Sequence, residues 1–448
     1  MSTSTSSTLF TGRVAPKPMP ASGIADQDRI KIARLTDCLG NTFDVVTDAD
    51  GHGARGQIPA IFACDEITNH VKQMVESATP DTPITQETIE ACLTKAFQDT
   101  NEALREFVCN GSSEFFALKY SEVASVEKTP YDIRAEINVM WKALTPEEKC
   151  VYKQMNIITQ DENGVPFEGH EPFSGGAVVT TVIVCTFVDG RKIVTTANVG
   201  DAEAFVYTHK EDGSIEITEC TTAHDCGSRT ERLRLKSFPV QCVFTTPDGG
   251  NLPIDDADGN PIDYAFAEGK DVYYKLLAYH AVCAEPESPE KKQKQDECCK
   301  LWRASNKAFK AHPMNQQYDQ LVWSTRTAMQ DRDFPSTYIV GDARATYGHW
   351  LRLQPSRAIG DFAQQQLGIV PTPVTMTLEL GLSPTQCVFV ASDGVHDCFT
   401  RHELAKLVLS DKTDDELLRI FVDKSKSLFS GIQHDDISFA RCAVPSAR

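Results

Sequence analysis

The feature that most constrains the fold is a set of β-branched runs in residues 177–208. The sequence there reads AVVTTVIVCTFVDGRKIVTTANVGDAEAFVYT. Valine, isoleucine and threonine favour strands, and Asp189-Gly190 is a strong signal for a two-residue hairpin turn. The first run is far shorter than the ~20 residues of a membrane span. The segment therefore predicts two or three strands of an antiparallel sheet, the first of them buried.

Strand and helix patterns follow one another in pairs elsewhere. DRIKIARL and NTFDVVTDA, separated by a short turn, predict a hairpin, and apolar periodicity predicts helices over 58–78 and 84–108. Near the carboxyl end, QCVFVASDGVHD predicts a buried strand that runs into a turn. Two capping boxes, Thr400 with Glu403 and Thr413 with Glu416, predict helix starts, and residues 435–444 predict a last strand. This order differs from the strict strand-helix alternation of a parallel sheet.

Composition narrows the class of protein. The chain has 448 residues, 41% of them hydrophobic, which is enough for a substantial core. Its net charge of -19 disfavours nucleic acid and anionic membranes. The 15 cysteines include no C-x-x-C pair, so neither a zinc site nor a disulfide framework is expected. A cytoplasmic or nuclear location is expected, with an organelle transit peptide as the alternative.

Three segments differ in amino-acid composition from the rest of the chain. Residues 1–22 are rich in Ser, Thr and Pro and predict a disordered leader. Residues 109–172 and 235–345 are polar, charged and partly helical in pattern, and they predict two insertions.

Aspartates stand where several predicted strands meet a turn. Asp50 and Asp393 each follow an apolar run and precede a glycine, and Asp435 precedes the last strand. A single Asp-Gly usually marks only a turn. Several such strand ends in one sheet would bring carboxylates together, and these repel unless cations neutralise them. The set therefore predicts a site for hard metal ions.

Seven motifs in order carry a resemblance to a known family. They are DQDR (26–29), DADGHG (48–53), SGGAVVTTVIV (174–184), TTANVGDAEAFVY (195–207), QPSRAIGDF (354–362), ASDGVHD (391–397) and HDDISF (434–439). Together they resemble the metal-dependent serine/threonine protein phosphatases, the protein phosphatase 2C family. The resemblance implies an α+β fold, a four-layer αββα sandwich of two antiparallel sheets flanked by helices, within a catalytic domain over 23–444 that carries the two insertions.

The resemblance also implies a metal centre holding two Mg2+ or Mn2+ ions, with a third as a further option. The ligands carried over by position are Asp28, Asp50, the Gly51 carbonyl, Asp393 and Asp435, and a third ion would involve Asp201 and Asp397. Paired divalent ions lower the pKa of a bridging water and aim it at phosphorus. His52 is placed to protonate the departing alkoxide as general acid. The alternative for His52 is a structural imidazole.

For several residues near the predicted metal ligands, a role in supporting the fold is expected. Arg357 and Asp361 are expected in a polar network that supports the fold, and His396 is expected to pack in the core. Asp26, Asp48 and Asp436 are expected behind the ligands or on the surface, and His434 in an exposed loop.

The sequence departs from the family at the phosphate-binding arginine, which many members have five residues before the first aspartate motif. Here that position is Gly23, and Arg13, Lys17 or Arg55 are candidate substitutes. Weaker binding of the substrate phosphate is expected, since a lysine binds as a point charge where an arginine binds as a fork.

The two insertions leave alternatives open. Residues 113–157 resemble an HMG box, but their acidic and basic residues nearly balance, so protein docking is preferred over DNA binding. Residues 235–345 are expected to form an enlarged flap. The predicted function is a phosphoserine/phosphothreonine protein phosphatase acting as a monomer on phosphoproteins. The alternatives are a pseudophosphatase that binds phosphoproteins and a nucleic-acid-associated protein.

Overall fold

The computed structural model describes most of the chain: residues 10–15, 27–53, 55–109, 139–140, 143–145, 158–160, 166–168, 171–172, 175–245, 251–254, 289–311, 337–342, 350–381, 385–428, 433 and 435–445. The chain divides into two compact units. The first comprises Met1–His224, Ala345–Gly348 and Pro355–Arg448, and the second comprises Asp225–Arg344 and His349–Gln354. The expected boundaries of the leader, catalytic domain and insertions remain predictions.

Two antiparallel sheets organise the first unit. Sheet I has the order β1-β18-β17-β9-β10, and sheet II has the order β16-β8-β7-β3-β2, with β15 paired to β7. The strands of sheet I are β1 (Thr11–Ala15), β9 (Glu203–His209), β10 (Ile215–Glu219), β17 (Thr385–Ala391) and β18 (Ile437–Pro445). Those of sheet II are β2 (Arg29–Thr36), β3 (Thr42–His52), β7 (Gly176–Thr186), β8 (Lys192–Val199), β15 (Ile359–Gly360) and β16 (Val374–Glu379).

Helices cover the outer face of each sheet. Helices α1 (Gln57–Ser77) and α2 (Gln86–Cys109) pack on sheet II. On sheet I lie α6 (Asp393–His396), α7 (Arg401–Val408) and α8 (Asp414–Leu428), and the short α5 (Phe362–Gln365) follows β15. The expected α+β sandwich of two antiparallel sheets flanked by helices is therefore confirmed. Both capping boxes are present, at Thr400 with Glu403 and at Thr413 with Glu416.

The core lies in two layers. Between the sheets, Val46, Val182 and Val184 of sheet II pack in one cluster with Val388 and Val390 of sheet I. A second cluster joins sheet I to helices α6 to α8. Because β7 is central and covered on both faces, every residue from Gly176 to Cys185 is buried. Its lack of apolar–polar alternation, with valines on both sides of Thr180 and Thr181, follows from that position.

Residues 10–15 differ from the disordered leader expected over 1–22. They form β1, which pairs antiparallel with β18, and Phe10 is buried in the cluster between the sheets. Gly12 permits this pairing, because a Cβ there would lie only 2.7 Å from the Phe439 carbonyl oxygen. One aromatic side chain thus anchors a segment whose composition favours disorder.

The second unit contains a four-stranded antiparallel sheet that the sequence analysis did not predict. Its order is β12-β11-β13-β14, and two described helices accompany it. The bounds are α3 (Arg229–Leu235), β11 (Val240–Thr245), β12 (Asn251–Pro253), α4 (Pro289–Ala311), β13 (Thr337–Asp342) and β14 (Trp350–Leu353). Residues 235–345 are polar and rich in turn-forming residues, so these short strands have no clear signal in the sequence.

The first expected insertion contributes a small antiparallel sheet to the first unit, formed by β4 (Ile158–Gln160), β5 (Pro166–Glu168) and β6 (Glu171–Pro172). Of the HMG-box-like segment, only 139–140 and 143–145 are described, so this prediction lies outside the described residues. None of the helices in the described ranges is both long enough and apolar enough to cross a membrane.

Replacing Phe421 should test the core between sheet I and its helices. The Phe421 ring centre lies 5.3 Å from that of Phe399 and 5.1 Å from that of Phe439. Because a large buried ring is removed, Phe421→Ala should lower the free energy of unfolding by about 3–5 kcal/mol. Val188→Ala, at a side chain that is 71% exposed, should change it by less than about 0.5 kcal/mol. Urea unfolding followed by circular dichroism measures both, and equal effects would contradict this assignment of the core.

Candidate active site

Antiparallel register brings the predicted acidic residues to one end of each sheet. In sheet II, Arg29 pairs with Ala49, so Asp28 lies opposite Asp50 at the next step. In sheet I, Ala391 pairs with both Glu203 and Phe439. Asp201 lies two residues before β9, Asp435 lies two residues before β18, and Asp393 begins helix α6 two residues after β17.

The charges of these aspartates act on one another. Burial raises the pKa of Asp50 well above its ordinary value, and the charges of Asp28, Asp393, Asp435 and Asp201 raise it further. A charge shifts the pKa of another group strongly when it lies within about 4–6 Å of that group. The structure therefore brings together five of the six aspartates predicted as ligands, and they come from both sheets.

Asp28 lies deepest in this group, with 1% of its surface exposed. Burial raises its pKa well above the ordinary value, as do the charges of Asp436, Asp48 and Asp435, whereas a hydrogen bond with Ser392 lowers it. Among the described residues, no hydrogen-bond donor contacts its Oδ2 atom. A buried carboxylate oxygen in this state is suited to a cation.

Gly51 meets a steric limit that agrees with its predicted role as a backbone ligand. A Cβ atom at this position would lie 2.9 Å from the Gln27 carbonyl oxygen and closer still to the Gly56 carbonyl. Only glycine lets the chain pass here between β2 and the start of α1. The backbone of Gly51 therefore lies closer to the backbone of Gly56 and Gln27 than that of any residue with a side chain could.

The donor chemistry of the cluster fits hard divalent cations, which prefer carboxylate and carbonyl oxygens. Over the described ranges, no group of three or more His, Cys, Asp or Glu side chains is arranged to hold a metal ion. A cation would offset the mutual repulsion that raises the pKa of Asp50.

The two aspartates expected at a third ion come from different segments, the loop before β9 and the end of helix α6. Asp201 is buried in the loop between β8 and β9, and its charge acts on both Asp50 and His52. Asp397 caps helix α6, where its backbone N–H donates to the Asp393 carbonyl at 2.7 Å. Both side chains are buried.

His52 ends β3 and binds a carboxylate from a distant part of the chain. Its Nε2 atom lies 2.6 Å from Asp361 Oδ2. Burial alone lowers the pKa of His52, but the charge and hydrogen bond of Asp361, with smaller contributions from Asp201 and Asp393, raise it above the ordinary value. The imidazole is therefore held in its protonated form more firmly than a free histidine.

The backbone around Asp361 is unusual. Asp361 has φ 48° and ψ 43°, the only positive φ of a non-glycine residue in the described ranges, and it follows Gly360 at φ 87°. Gly176 faces the pair from β7, and a Cβ there would collide with both Asp361 Oδ2 and His52 Nε2. The expectation that Asp361 only supports the fold missed its contact with His52.

Other predicted residues lie near the cluster in supporting contacts. Asp48 is fully buried and accepts a hydrogen bond from Ser438 Oγ at 2.7 Å, and burial raises its pKa to about 7. Asp436 accepts from the Gln27 backbone N–H at 2.8 Å. Both aspartates thus lie behind the predicted ligands, as expected.

Two further expectations concern packing and support. His396 packs against Phe205 and Phe389, with ring centres 5.5 and 6.3 Å away, so its expected place in the core is confirmed. Arg357 donates to the Thr372 carbonyl at 2.9 Å, which agrees with a supporting role.

Of the candidate phosphate-binding side chains, Arg13 donates to Asp415 Oδ1 at 2.6 Å and is engaged in that ion pair. Arg55 lies in the turn between β3 and α1, three residues after His52. Lys17 and Gly23, with Asp26 and His434, lie outside the described residues.

Comparison with known proteins supports the resemblance. The model of the family described as protein phosphatase 2C matches residues 336–426, a segment that contains Asp361, Asp393 and Asp397. The resemblance to this family is thereby confirmed, whereas no comparison addresses the HMG-box-like segment. A comparison with curated proteins found no match.

Solved structures similar to this chain include serine-threonine phosphatase 2C from Toxoplasma gondii, with 10% identity, a TM-score of 0.46 and coverage of 97% of this chain and 99% of the other. A sex-determining protein from C. elegans has 13% identity and a TM-score of 0.45, and the match covers 97% of this chain but 65% of that one. Serine/threonine phosphatase Stp1 from Staphylococcus aureus has 14% identity, a TM-score of 0.38 and coverage of 98% and 95%.

Removing one charge from the cluster should stabilise the protein in the presence of a chelator. Because folding raises the pKa of Asp50, the stability of the metal-free protein should fall as pH rises from about 4 towards that raised value. Asp50→Asn should weaken this pH dependence and add about 1 kcal/mol or more at pH 8. Urea unfolding in EDTA at pH 6 and pH 8 measures the effect. Asp411→Asn, at an exposed loop residue, is the control, and an equal gain there would contradict the prediction.

Proposed function

We propose that the protein is a metal-dependent serine/threonine protein phosphatase. The observation that carries the proposal is the convergence of Asp28, Asp50, Asp201, Asp393 and Asp435 beside His52. Clustered carboxylates supply the oxygen ligands that divalent cations prefer. A protonated imidazole can donate its proton to a basic leaving group. The match to the protein phosphatase 2C family over 336–426 supports the same class of reaction.

Asp28, Asp50, the Gly51 carbonyl, Asp393 and Asp435 would hold two Mg2+ or Mn2+ ions, and Asp201 with Asp397 would contribute to a third. When bound, such ions supply an activated water and offset the charge of the substrate phosphate. The protein fixes these ligands at the ends of paired strands, so that their positions are set by the sheets.

His52 would act as the general acid. With Nε2 bound to Asp361, the Nδ1 atom is left to give its proton to the departing serine or threonine oxygen. The carboxylate of Asp361 favours the protonated ring, which the reaction needs before the oxygen leaves. Protonation matters most for an alkoxide, because an alkoxide is a poor leaving group.

Arg55 is the preferred candidate for gripping the substrate phosphate in place of the arginine absent at Gly23. It lies in the turn that leads from Gly51 and His52 into α1, three residues after His52. A guanidinium can bind two phosphate oxygens at once.

Hydrolysis of a phosphothreonine peptide tests the proposal. Activity should require Mn2+ or Mg2+ and disappear with EDTA, and Asp393→Asn should lower kcat/KM roughly 100-fold or more because a ligand is lost. Asp411→Asn should retain the activity. Turnover that resists the chelator would exclude the mechanism. An inactive protein whose melting temperature still rises with Mn2+ would indicate a pseudophosphatase.

Residues 235–345 are proposed to select the phosphoprotein substrate as an enlarged flap. Most of this segment belongs to the second compact unit, which has its own sheet and helices. Replacing it with a short Gly/Ser linker should change the ratio of kcat/KM values among phosphopeptides by about ten-fold or more while sparing a small aryl phosphate. Steady-state kinetics on both kinds of substrate measures this, and equal loss on both would refute the selective role.

A further inference from the structure

Helix α2 holds the backbone that presents Asp361. Asn101 of this helix is 1% exposed, and its Oδ1 atom accepts hydrogen bonds from the Gly360 backbone N–H and from Gln365 Nε2, both at 3.0 Å. Gln365 Nε2 also donates to the Gly360 carbonyl at 2.8 Å. Both backbone polar groups of Gly360 are therefore bound by this pair of amide side chains.

Arg105 extends the same contacts by one helical turn. Its Nη2 atom donates to Gln365 Oε1 at 2.8 Å, and its guanidinium lies 5.2 Å from the centre of the Phe362 ring. Helix α2 thus contacts residues on both sides of Asp361. Gln365 is fixed from two directions, by Asn101 and by Arg105.

Strand β7 and the residue before it also contact the backbone of Gly360 and Asp361. The Asp361 backbone N–H donates to the Gly175 carbonyl at 3.0 Å, and Gly360 pairs with Gly176. An aspartate with positive φ persists only where its surroundings fix it, because this conformation is disfavoured for residues with a Cβ. Here the fixing contacts come from α2 and β7 together.

We propose that Asn101 is a positioning residue for proton transfer at His52. By binding Gly360 and Gln365, it keeps Asp361 in its left-handed conformation, with Oδ2 2.6 Å from His52 Nε2. Without this accepting oxygen, the backbone at Gly360 and Asp361 would lose these restraints, and the Asp361 carboxylate could move away from the His52 imidazole. This inference rests on the proposed function, in which His52 protonates the departing oxygen.

The leaving group of the substrate provides the test. Dinitrophenolate leaves dinitrophenyl phosphate without protonation, whereas the threonine oxygen of a phosphothreonine peptide needs a proton to leave. A defect confined to His52 should therefore affect only hydrolysis of the peptide. His52→Gln provides the reference pattern. Asn101→Leu, which removes the acceptor at similar volume, should lower kcat for a phosphothreonine peptide by about ten-fold, with KM and dinitrophenyl phosphate turnover nearly unchanged.

Two matched variants separate positioning from folding. Asn101→Asp keeps the accepting oxygens, with Arg105 nearby to balance the charge, and should restore most of the activity. Thr100→Val alters the adjacent residue of α2, which is fully buried and whose hydroxyl has no hydrogen-bond partner among the described residues. It should leave the ratio of the two substrates unchanged. Equal loss of both substrates in Asn101→Leu, or the same ratio in Thr100→Val, would overturn the inference.

A measurement without turnover separates this inference from the proposed function. If the unaltered protein hydrolysed neither substrate, the proposed function would fail, and thermal unfolding would still test the contacts. The shifts in melting temperature from Asn101→Leu and His52→Gln should be non-additive, because Asp361 links the two residues. Thr100→Val combined with His52→Gln should be additive. Additive shifts in both pairs would overturn the positioning role.

Discussion

Repulsion among buried carboxylates is the constraint on which the site depends. Asp28, Asp50, Asp201, Asp393 and Asp435 come from separate segments, and their charges oppose their shared location. The apolar cluster between the two sheets fixes the strands that carry them, so folding supplies the free energy that holds like charges together. Under the proposed function, bound cations would offset this repulsion.

The sandwich also determines how precisely the site is built. Strand pairing fixes the position of Asp50, because a one-residue register slip would turn its side chain to the opposite face of the sheet. Glycines complete the arrangement where main chains pass closely. Gly51 and Gly176 each leave room that a methyl group would fill. Register and close packing therefore determine the backbone positions around the site.

Most strands and helices, and the strand-end aspartates Asp50, Asp393 and Asp435, could be predicted from local signals, whereas the sandwich of two sheets and the remaining predicted ligands followed only from the family resemblance. Asp-Gly after an apolar run marked Asp50 and Asp393, and capping boxes marked α7 and α8. The role of Asp361 could not be predicted, since it depends on a pairing with His52 across the chain and on a left-handed backbone. Phe10 was missed for a similar reason: one buried ring outweighs the polar composition around it.

The backbone of Asp361 places two demands on one position. Glycine would adopt its φ of 48° at a lower conformational cost, but glycine has no carboxylate to bind His52. Asparagine tolerates the same conformation and keeps a hydrogen-bonding group, but it has no charge to favour a protonated ring. An aspartate at this position therefore has a higher conformational cost than glycine, and in return it supplies a charged group that binds His52.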